Sequence, residues 1–135
     1  MRLLFGKEFN TKSIVDVIKT KKEVIIGKGV SAEMVHKAEK ELNVSFAEDY
    51  REYLLNYGLL MCCGHELTGL GKNERTHVVF VTKQMKELIN GIPDNWYVLE
   101  NANIDGVIIW QDTTGNVYFN TKKIYSSLLD FIISF

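Results

Sequence analysis

The chain has 135 residues, of which 46% are hydrophobic and 24% are charged, and its formal net charge is -1. These totals are typical of one globular domain, which at this length buries about two-thirds of its unfolded surface. The balanced charge argues against a nucleic-acid partner, because binding to phosphates needs clustered Lys and Arg. No segment reaches the roughly 20 apolar residues that would cross a bilayer. We therefore expect a single domain, residues 1–135, that binds neither nucleic acid nor membrane.

The cysteines and the N-terminal residues both favour a cytoplasmic protein. Cys62 and Cys63 are adjacent, so they cannot close a loop as the disulfides of secreted scaffolds do. The segment from Met1 to Phe5 has one basic residue and an apolar run that is too short for a signal peptide. The sequence does not indicate an oligomeric state.

Apolar residues at helical spacing predict two helices in the first third of the chain. Asn10 is placed to cap the first helix and Ser31 the second, because such side chains accept hydrogen bonds from the free N–H groups of a first turn. A short strand is predicted between them, at residues 24–26. The apolar faces of the two helices consist of Ile14, Val17 and Ile18 and of Val35, Ala38 and Leu42.

A third helix is predicted to follow almost at once. Ser45 and Glu48 have the spacing of a capping box, and Gly58 is placed to end the helix. Its apolar face, at i, i+3, i+4 and i+7, consists of Tyr50, Tyr53, Leu54 and Tyr57.

The middle of the chain predicts short strands and one more helix. We expect strands at residues 66–70 and 77–81 around a glycine-rich turn at residues 69–73. Thr82 is placed to cap the helix, and Gly91 and Pro93 to end it. Its expected apolar face consists of Met85, Leu88, Ile89 and Ile92.

The last third predicts antiparallel strands and a closing helix. Strands at residues 96–103 and 107–111 flank Asp105-Gly106, a dipeptide that supplies the positive φ angles of a tight hairpin turn. A second turn at residues 112–115 leads to a strand at 116–119. Ser127 and Asp130 then begin a terminal helix, whose face consists of Leu128, Phe131, Ile132 and Phe135. Helices, a meander of strands and a final helix predict an α+β fold.

The segment from Phe46 to Gly58, FAEDYREYLLNYG, resembles the signature helix of the SUKH superfamily, which includes the Smi/Knr-type cell-wall regulators of yeast. The family pattern is an apolar residue, Pro, two polar positions, Tyr, an aromatic–Leu pair and a final Gly. Residues 38–42 resemble the family's preceding helix, and residues 126–132 its closing one. The chain departs from the pattern at Ala47, where Pro is usual, and at residues 59–61, which replace a Gly-rich or polar exit.

This resemblance implies a fold and a function. The implied fold is a curved antiparallel sheet of about five or six strands flanked by helices. In bacteria the resemblance implies an immunity protein that binds and blocks a cognate secreted toxin, often a nuclease. The alternative is a regulatory or scaffolding domain that docks on a cellular protein or small ligand, as the yeast relatives are thought to do.

Metal and phosphate sites are tested by spacing. Cys62, Cys63, His65 and His77 form a candidate cluster, but adjacent cysteines in a strand would point to opposite faces and no pair has a zinc-site spacing. The glycines from residue 64 to 71 are similar to a phosphate-binding loop, but Asn73 stands where Ser or Thr is needed. We expect no metal and no cofactor. No convergent acid, base and polarising group can be named either, so we expect a binding protein and not an enzyme.

Residues 91–121 contain acidic residues but no Lys or Arg. The acids are Asp94, Glu100, Asp105 and Asp112, and the aromatics among them are Trp96, Tyr97, Trp110, Tyr118 and Phe119. Acids around aromatics suit an interface with a basic partner such as a nuclease groove. The alternative is that the aromatics fill the core and the acids mark turns. The predicted partner-binding residues are Glu66, Trp96, Glu100, Asp105, Trp110 and Asp112.

Overall fold

The structure is a computed structural model that describes residues 13–102 and 105–135. Within these residues the chain forms five α-helices, one 3₁₀ helix at Glu74–Thr76 and seven strands, which confirms the α+β fold. The helices are α1 Ile14–Lys19, α2 Ala32–Leu42, α3 Glu48–Asn56, α4 Val78–Leu88 and α5 Leu128–Ile133. The strands are β1 Ile25–Ile26, β2 Leu60–Cys62, β3 His65–Leu67, β4 Trp96–Asn101, β5 Ile108–Asp112, β6 Val117–Phe119 and β7 Lys122–Tyr125.

The strands form two antiparallel sheets, β1-β2-β3 and β4-β5-β6-β7, where one sheet of about five or six strands was expected. Thr68, directly after β3, links the two sheets. Its N–H donates to the Leu99 carbonyl at 2.7 Å and its hydroxyl to the Val98 carbonyl at 2.8 Å. Glu66, two residues earlier, bonds to Glu100, so residue numbers rise along β3 as they fall along β4 and the two strands lie antiparallel. Side chains carry two of these three bonds, so no regular ladder joins the sheets.

The main core lies under the predicted face of α3. Tyr50, Tyr53 and Leu54 are fully buried, together with Tyr97 of β4. The Tyr50 and Tyr53 hydroxyls both donate to the Thr68 carbonyl, at 3.2 and 3.0 Å. This core therefore packs the helix against the junction of the two sheets. A smaller cluster contains Val81, Trp96, Val98, Ile108 and Trp110.

The ends of the first two helices follow local rules. Ser31 caps α2 as predicted, because its hydroxyl accepts from the Met34 N–H at 3.2 Å. Helix α1 is capped by Ser13, whose hydroxyl accepts from the Asp16 N–H at 3.2 Å. The predicted cap Asn10 lies outside the described residues.

The predicted capping box of α3 is wrong. Ala47 is the N-cap of this helix and makes no side-chain cap bond. Glu39 of α2 instead accepts from the Phe46 N–H at 2.8 Å and pairs with Arg51 at 2.7 Å. Arg51 also donates to the Ser45 hydroxyl, at 3.1 Å. A long-range carboxylate thus holds the chain where it enters the helix, and Ser45 is used by Arg51.

The predicted strand at residues 77–81 is also wrong, because His77 is the N-cap of α4. The His77 ring accepts from the N–H two residues later, at 3.3 Å. Thr82, the predicted cap, lies inside the helix, and its hydroxyl accepts from the Val98 N–H at 2.9 Å. Helix α4 ends at Leu88, which is 71% exposed, so the predicted apolar face runs past the helix. A short apolar run does not by itself separate a buried strand from a helix.

Strands β2 and β7 were not predicted. Strand β2 follows Gly58 with the apolar run Leu60–Cys62, which has no alternation to mark it. Strand β7 begins with two exposed lysines and pairs with β6 as the last strand of its sheet. Long polar side chains on an outer strand hide the strand pattern.

Candidate functional site

Three hairpin turns lie at one end of the paired sheets. They are Cys63-Gly64 between β2 and β3, Asp105-Gly106 between β4 and β5, and Asn120-Thr121 between β6 and β7. The first two are neighbours because β3 runs antiparallel to β4 through the Thr68 contacts. Asn120 joins them, since its N–H donates to the Ile108 carbonyl at 2.8 Å and its side chain accepts from the Ile108 N–H at 3.0 Å. We call this region, with the flanking residues of these strands, the hairpin end.

Each of the three turns has a non-glycine residue in the left-handed region. The φ angles are 58° at Cys63, 52° at Asp105 and 53° at Asn120. Asp105-Gly106 therefore forms the predicted hairpin turn, with φ of 70° at Gly106. Asp and Asn tolerate this conformation better than most residues, whereas Cys has no such preference. Exposed turns fixed on a sheet are a common way to present binding residues.

A buried carboxylate supports the hairpin end from beneath. Glu100 is 4% exposed and lies beside a bulge, where the β4–β5 register shifts between Val98 and Glu100. One of its oxygens lies 2.9 Å from Nδ1 of His65, and the other accepts from the Glu66 N–H at 2.8 Å. Glu100 thus takes the place of a main-chain carbonyl and fixes both residues of β3.

The Glu66 side chain is held by a two-point ion pair. Nη1 and Nη2 of Arg75 donate to the two carboxylate oxygens at 2.8 and 3.0 Å. These bonds raise the pKa of Arg75 above its ordinary value. The neighbouring His65 ring stacks on Phe135, with ring centres 3.9 Å apart and planes 5° from parallel. The polar groups of β3 are therefore well ordered although they reach the surface.

The two predicted tryptophans lie in the smaller core cluster. Trp110 is fully buried, and Trp96 is 8% exposed. Trp96 stacks on Tyr118, with ring centres 3.9 Å apart. The indole N–H of Trp110 has no hydrogen-bond partner among the described residues. Their burial agrees with the alternative that these aromatics fill the core, and not with direct contact between them and a partner.

Asp112 marks a turn at the other end of β5 from the hairpin end. One oxygen accepts from the Thr114 and Asn116 N–H groups, at 2.9 and 3.0 Å, and the other from the Tyr118 hydroxyl at 2.7 Å. Burial raises the pKa of Asp112, but the hydrogen bonds from Tyr118, Thr114 and Asn116 together lower it by more than burial raises it. The pKa is therefore below its ordinary value. Asp112 is thus a structural carboxylate that stays ionised.

The six predicted residues therefore separate into two groups. Glu66 and Asp105 reach the surface at the hairpin end, and Glu100 is buried below them. Trp96, Trp110 and Asp112 lie in the core or at the far end of β4 and β5.

Sequence reasoning missed two surface residues of the hairpin end. Phe119 is 38% exposed, and it precedes the Asn120-Thr121 turn and pairs with Lys122 on the other side. Lys122 immediately follows the base-free stretch in sequence, so the hairpin end has mixed charge and is not uniformly acidic. The hairpin pairing of β6 with β7, which the sequence does not mark, brings this lysine to the site.

Among residues 13–102 and 105–135, no group of three or more His, Cys, Asp or Glu side chains could hold a metal ion. In the described part of the chain, every helix is too short or too polar to cross a membrane.

The fold and site together define a small α+β domain that presents polar hairpin turns from a rigid sheet. The SUKH_5 family model, described as SMI1-KNR4 cell-wall, matches residues 11–134. The match spans nearly the whole chain, so the chain belongs to the SUKH family, and the resemblance noted in α3 is confirmed. Membership fits an immunity-type or Smi/Knr-like domain. No curated protein sequence matches the chain at a significant level.

Proposed function

We propose that this protein is an immunity protein that binds and neutralises a cognate secreted bacterial toxin, with the hairpin end as its contact surface. Family membership supports this proposal, because SUKH domains are generally non-catalytic immunity or binding domains. The observation that carries it is the convergence of three turns, each with a non-glycine residue in the left-handed region, on one end of the sheets. An immunity protein of this kind acts in the cytoplasm, where the toxin would otherwise act.

The acids at the hairpin end suit a partner with a basic groove, such as a nuclease. Asp105 stands exposed at a hairpin tip, where its charge can steer an approaching basic surface. The Glu66 carboxylate is already paired with Arg75, so it offers an ordered polar surface to a partner and not a free negative charge. The exposed ring of Phe119 offers an apolar anchor beside these charges.

The predicted residues that are buried do not contact the partner in this proposal; they support the strands and turns that do. Glu100 positions His65 and Glu66 by its two hydrogen bonds. Trp96 of β4 and Trp110 of β5 pack in the smaller core cluster and so support the two strands that flank the Asp105 turn. Asp112 fixes the turn at the far end of β5. Their replacement should weaken binding only as far as it disturbs the sheet.

Co-expression with the product of a neighbouring toxin gene tests the proposal. We expect the two proteins to co-purify and the host to survive. Continued toxicity without a complex would overturn the proposed function.

Two substitutions then locate the surface. Asp105→Arg and Phe119→Ala should each weaken the complex about five- to thirtyfold, as expected for an interface anchor worth about 1–2 kcal/mol. Asp94→Arg is the matched control, because Asp94 is exposed and precedes the opposite end of β4. Asp105→Asn, which keeps a residue that tolerates the left-handed region, separates loss of charge from strain in the turn and should also weaken the complex. If Asp94→Arg weakens the complex as much as Asp105→Arg, the contact surface is not the hairpin end.

The second candidate function is a regulatory or scaffolding domain of the Smi/Knr type. The description of the matched family model, which names the cell wall, favours it. The position of the gene discriminates between the two: a toxin gene beside it supports immunity, and an isolated gene or a metabolic operon supports regulation.

A further inference from the structure

Two cysteines meet at the tip of the first hairpin turn. The Sγ atoms of Cys62 and Cys63 are 2.6 Å apart. Cys62 is 4% exposed at the end of β2, whereas Cys63 is exposed in the turn. Both are free thiols.

The backbone of the turn brings the sulfurs together. Adjacent side chains of a regular strand point to opposite faces, which is the arrangement expected from the sequence. The φ of 58° at Cys63 breaks this alternation and places both side chains on one side. The equivalent positions of the other two turns hold Asp105 and Asn120, which tolerate the left-handed region better. This conformation, together with the close approach of the two sulfurs, is the basis for a functional hypothesis.

We propose that Cys62 and Cys63 are a redox-sensitive pair that closes reversibly into a vicinal disulfide. The oxidant is a small disulfide of the glutathione class. The thiolate of Cys63 attacks one sulfur of this disulfide, forms a mixed disulfide and releases the first small thiolate. The thiolate of Cys62 then attacks Sγ of Cys63 and releases the second. The two protein thiols lose two protons and two electrons, and the small disulfide is reduced to two thiols.

The two cysteines differ in a way that sets this order. Desolvation, together with the hydrogen bond to Cys63 and its charge, raises the pKa of Cys62 to about 11. Cys62 is therefore the weaker first nucleophile, and the exposed Cys63 reacts first. Once Cys63 is in the mixed disulfide it has no charge and no proton to share. Desolvation, the largest cause that raises the pKa of Cys62, remains, but the two causes from Cys63 disappear, and the charge of Lys21 still lowers the pKa.

A disulfide between neighbours is easily reduced. Adjacent Cα atoms lie about 3.8 Å apart across a trans peptide, and unstrained disulfides need about 4.4–6.8 Å. Strained and exposed disulfides are the labile and regulatory ones. The pair therefore acts as a switch in the hairpin turn and not as a permanent crosslink. The inference holds whether or not the hairpin end contacts a toxin.

The test uses the full chain, folded and reduced, treated with oxidised glutathione and analysed by mass spectrometry. The wild type should lose the mass of two hydrogens from the peptide that contains both cysteines, and dithiothreitol should restore it. Cys62→Ser should instead keep a stable glutathione adduct on Cys63. Cys63→Ser should react slowly and form no intramolecular disulfide. A wild-type protein that keeps the adduct, forms a disulfide dimer or does not react would overturn the proposal.

Two further measurements keep the proposal testable if one of the cysteine variants does not fold. Ring closure in the folded wild type should be about tenfold faster than in urea, because the fold holds the sulfurs together. Equal rates would show that the fold contributes nothing. Phenylarsine oxide, which needs two thiols within reach, should protect the wild type from alkylation but should not protect Cys62→Ser, which keeps only the exposed Cys63. Equal protection of both proteins would contradict the pairing.

Discussion

Asp49 in α3 accepts a hydrogen bond from the N–H of Leu128 in α5, with Oδ2 and N 2.7 Å apart. Its other oxygen accepts from the Gln111 side chain of β5 at 3.1 Å. One carboxylate therefore joins two helices and a strand that are distant in sequence. Asp49 also acts as a second cap of α5. The Ser127 hydroxyl accepts from the Asp130 N–H at 3.0 Å, and Asp49 accepts from the N–H of Leu128, which Ser127 does not bind.

The pH dependence of stability should reveal this carboxylate. Burial raises the pKa of Asp49 above its ordinary value of 3.8, and the hydrogen bonds from Gln111, Leu128 and Leu129 only partly oppose it. A raised folded pKa gives a stabilising contribution that is full below the unfolded pKa and is lost as the pH rises through the folded pKa. The stability of the wild type relative to Asp49→Asn should therefore increase as the pH falls from 7 towards 3.8. Urea unfolding at several pH values measures the difference.

The variant Asp94→Asn controls for the loss of one negative charge at an exposed position. A difference between wild type and Asp49→Asn that stays constant or shrinks in acid would show that burial does not govern Asp49.

Asp112 should show the opposite sign. Its pKa lies below 3.8 because the hydrogen bonds from Tyr118, Thr114 and Asn116 outweigh the effect of burial. A lowered folded pKa gives stability that is present above the unfolded pKa and is lost as the pH falls through the folded pKa. We expect Asp112→Asn to be less stable than the wild type at pH 7 and the difference to diminish below pH 3.8. Thermal unfolding of both proteins between pH 7 and pH 2 measures this, and a difference that grows in acid would be the contrary result.

The Glu100 carboxylate should protect a single amide proton. The Glu66 N–H donates to Glu100 and not to a strand carbonyl, so Glu100→Ala should speed hydrogen exchange at Glu66. The Thr68 N–H is the internal control, because it donates to the Leu99 carbonyl and does not depend on this carboxylate. Amide exchange by NMR resolves the two protons. Equal acceleration at both would mean that Glu100 supports the whole strand and not the hairpin end in particular.

The sequence predicted the parts of the fold that depend on local periodicity and capping. The face of α3, the Ser31 cap and the Asp105-Gly106 turn each depend on a few neighbouring residues, and all three are present. The cap of α3 and the start of α4 depend on Glu39 and on the sheet contact of Thr82, which come from distant parts of the chain. Local patterns do not report such contacts.

The candidate site was predicted only in part, for a related reason. The composition of residues 91–121 placed acids and aromatics in one stretch, but composition does not tell which side chains face inward. Glu100 and Trp110 face the interior, whereas Asp105 is exposed. Glu66 meets Arg75 across a nine-residue separation that includes a 3₁₀ helix, a geometry that no periodic pattern predicts.

Two glycines of the glycine-rich segment test whether this segment requires glycine because of close packing. A Cβ at Gly69 would collide with the backbone carbonyl of Gly58, just after α3, and a backbone group cannot move aside as a flexible side chain can. Gly71 has open space around the same position. We expect Gly69→Ala to lower the free energy of unfolding by about 3 kcal/mol or more through overpacking. The matched variant Gly71→Ala should change it by less than about 1 kcal/mol. Urea unfolding followed by circular dichroism measures both, and similar losses would show that the close approach of Gly69 to Gly58 is not what requires glycine in this segment.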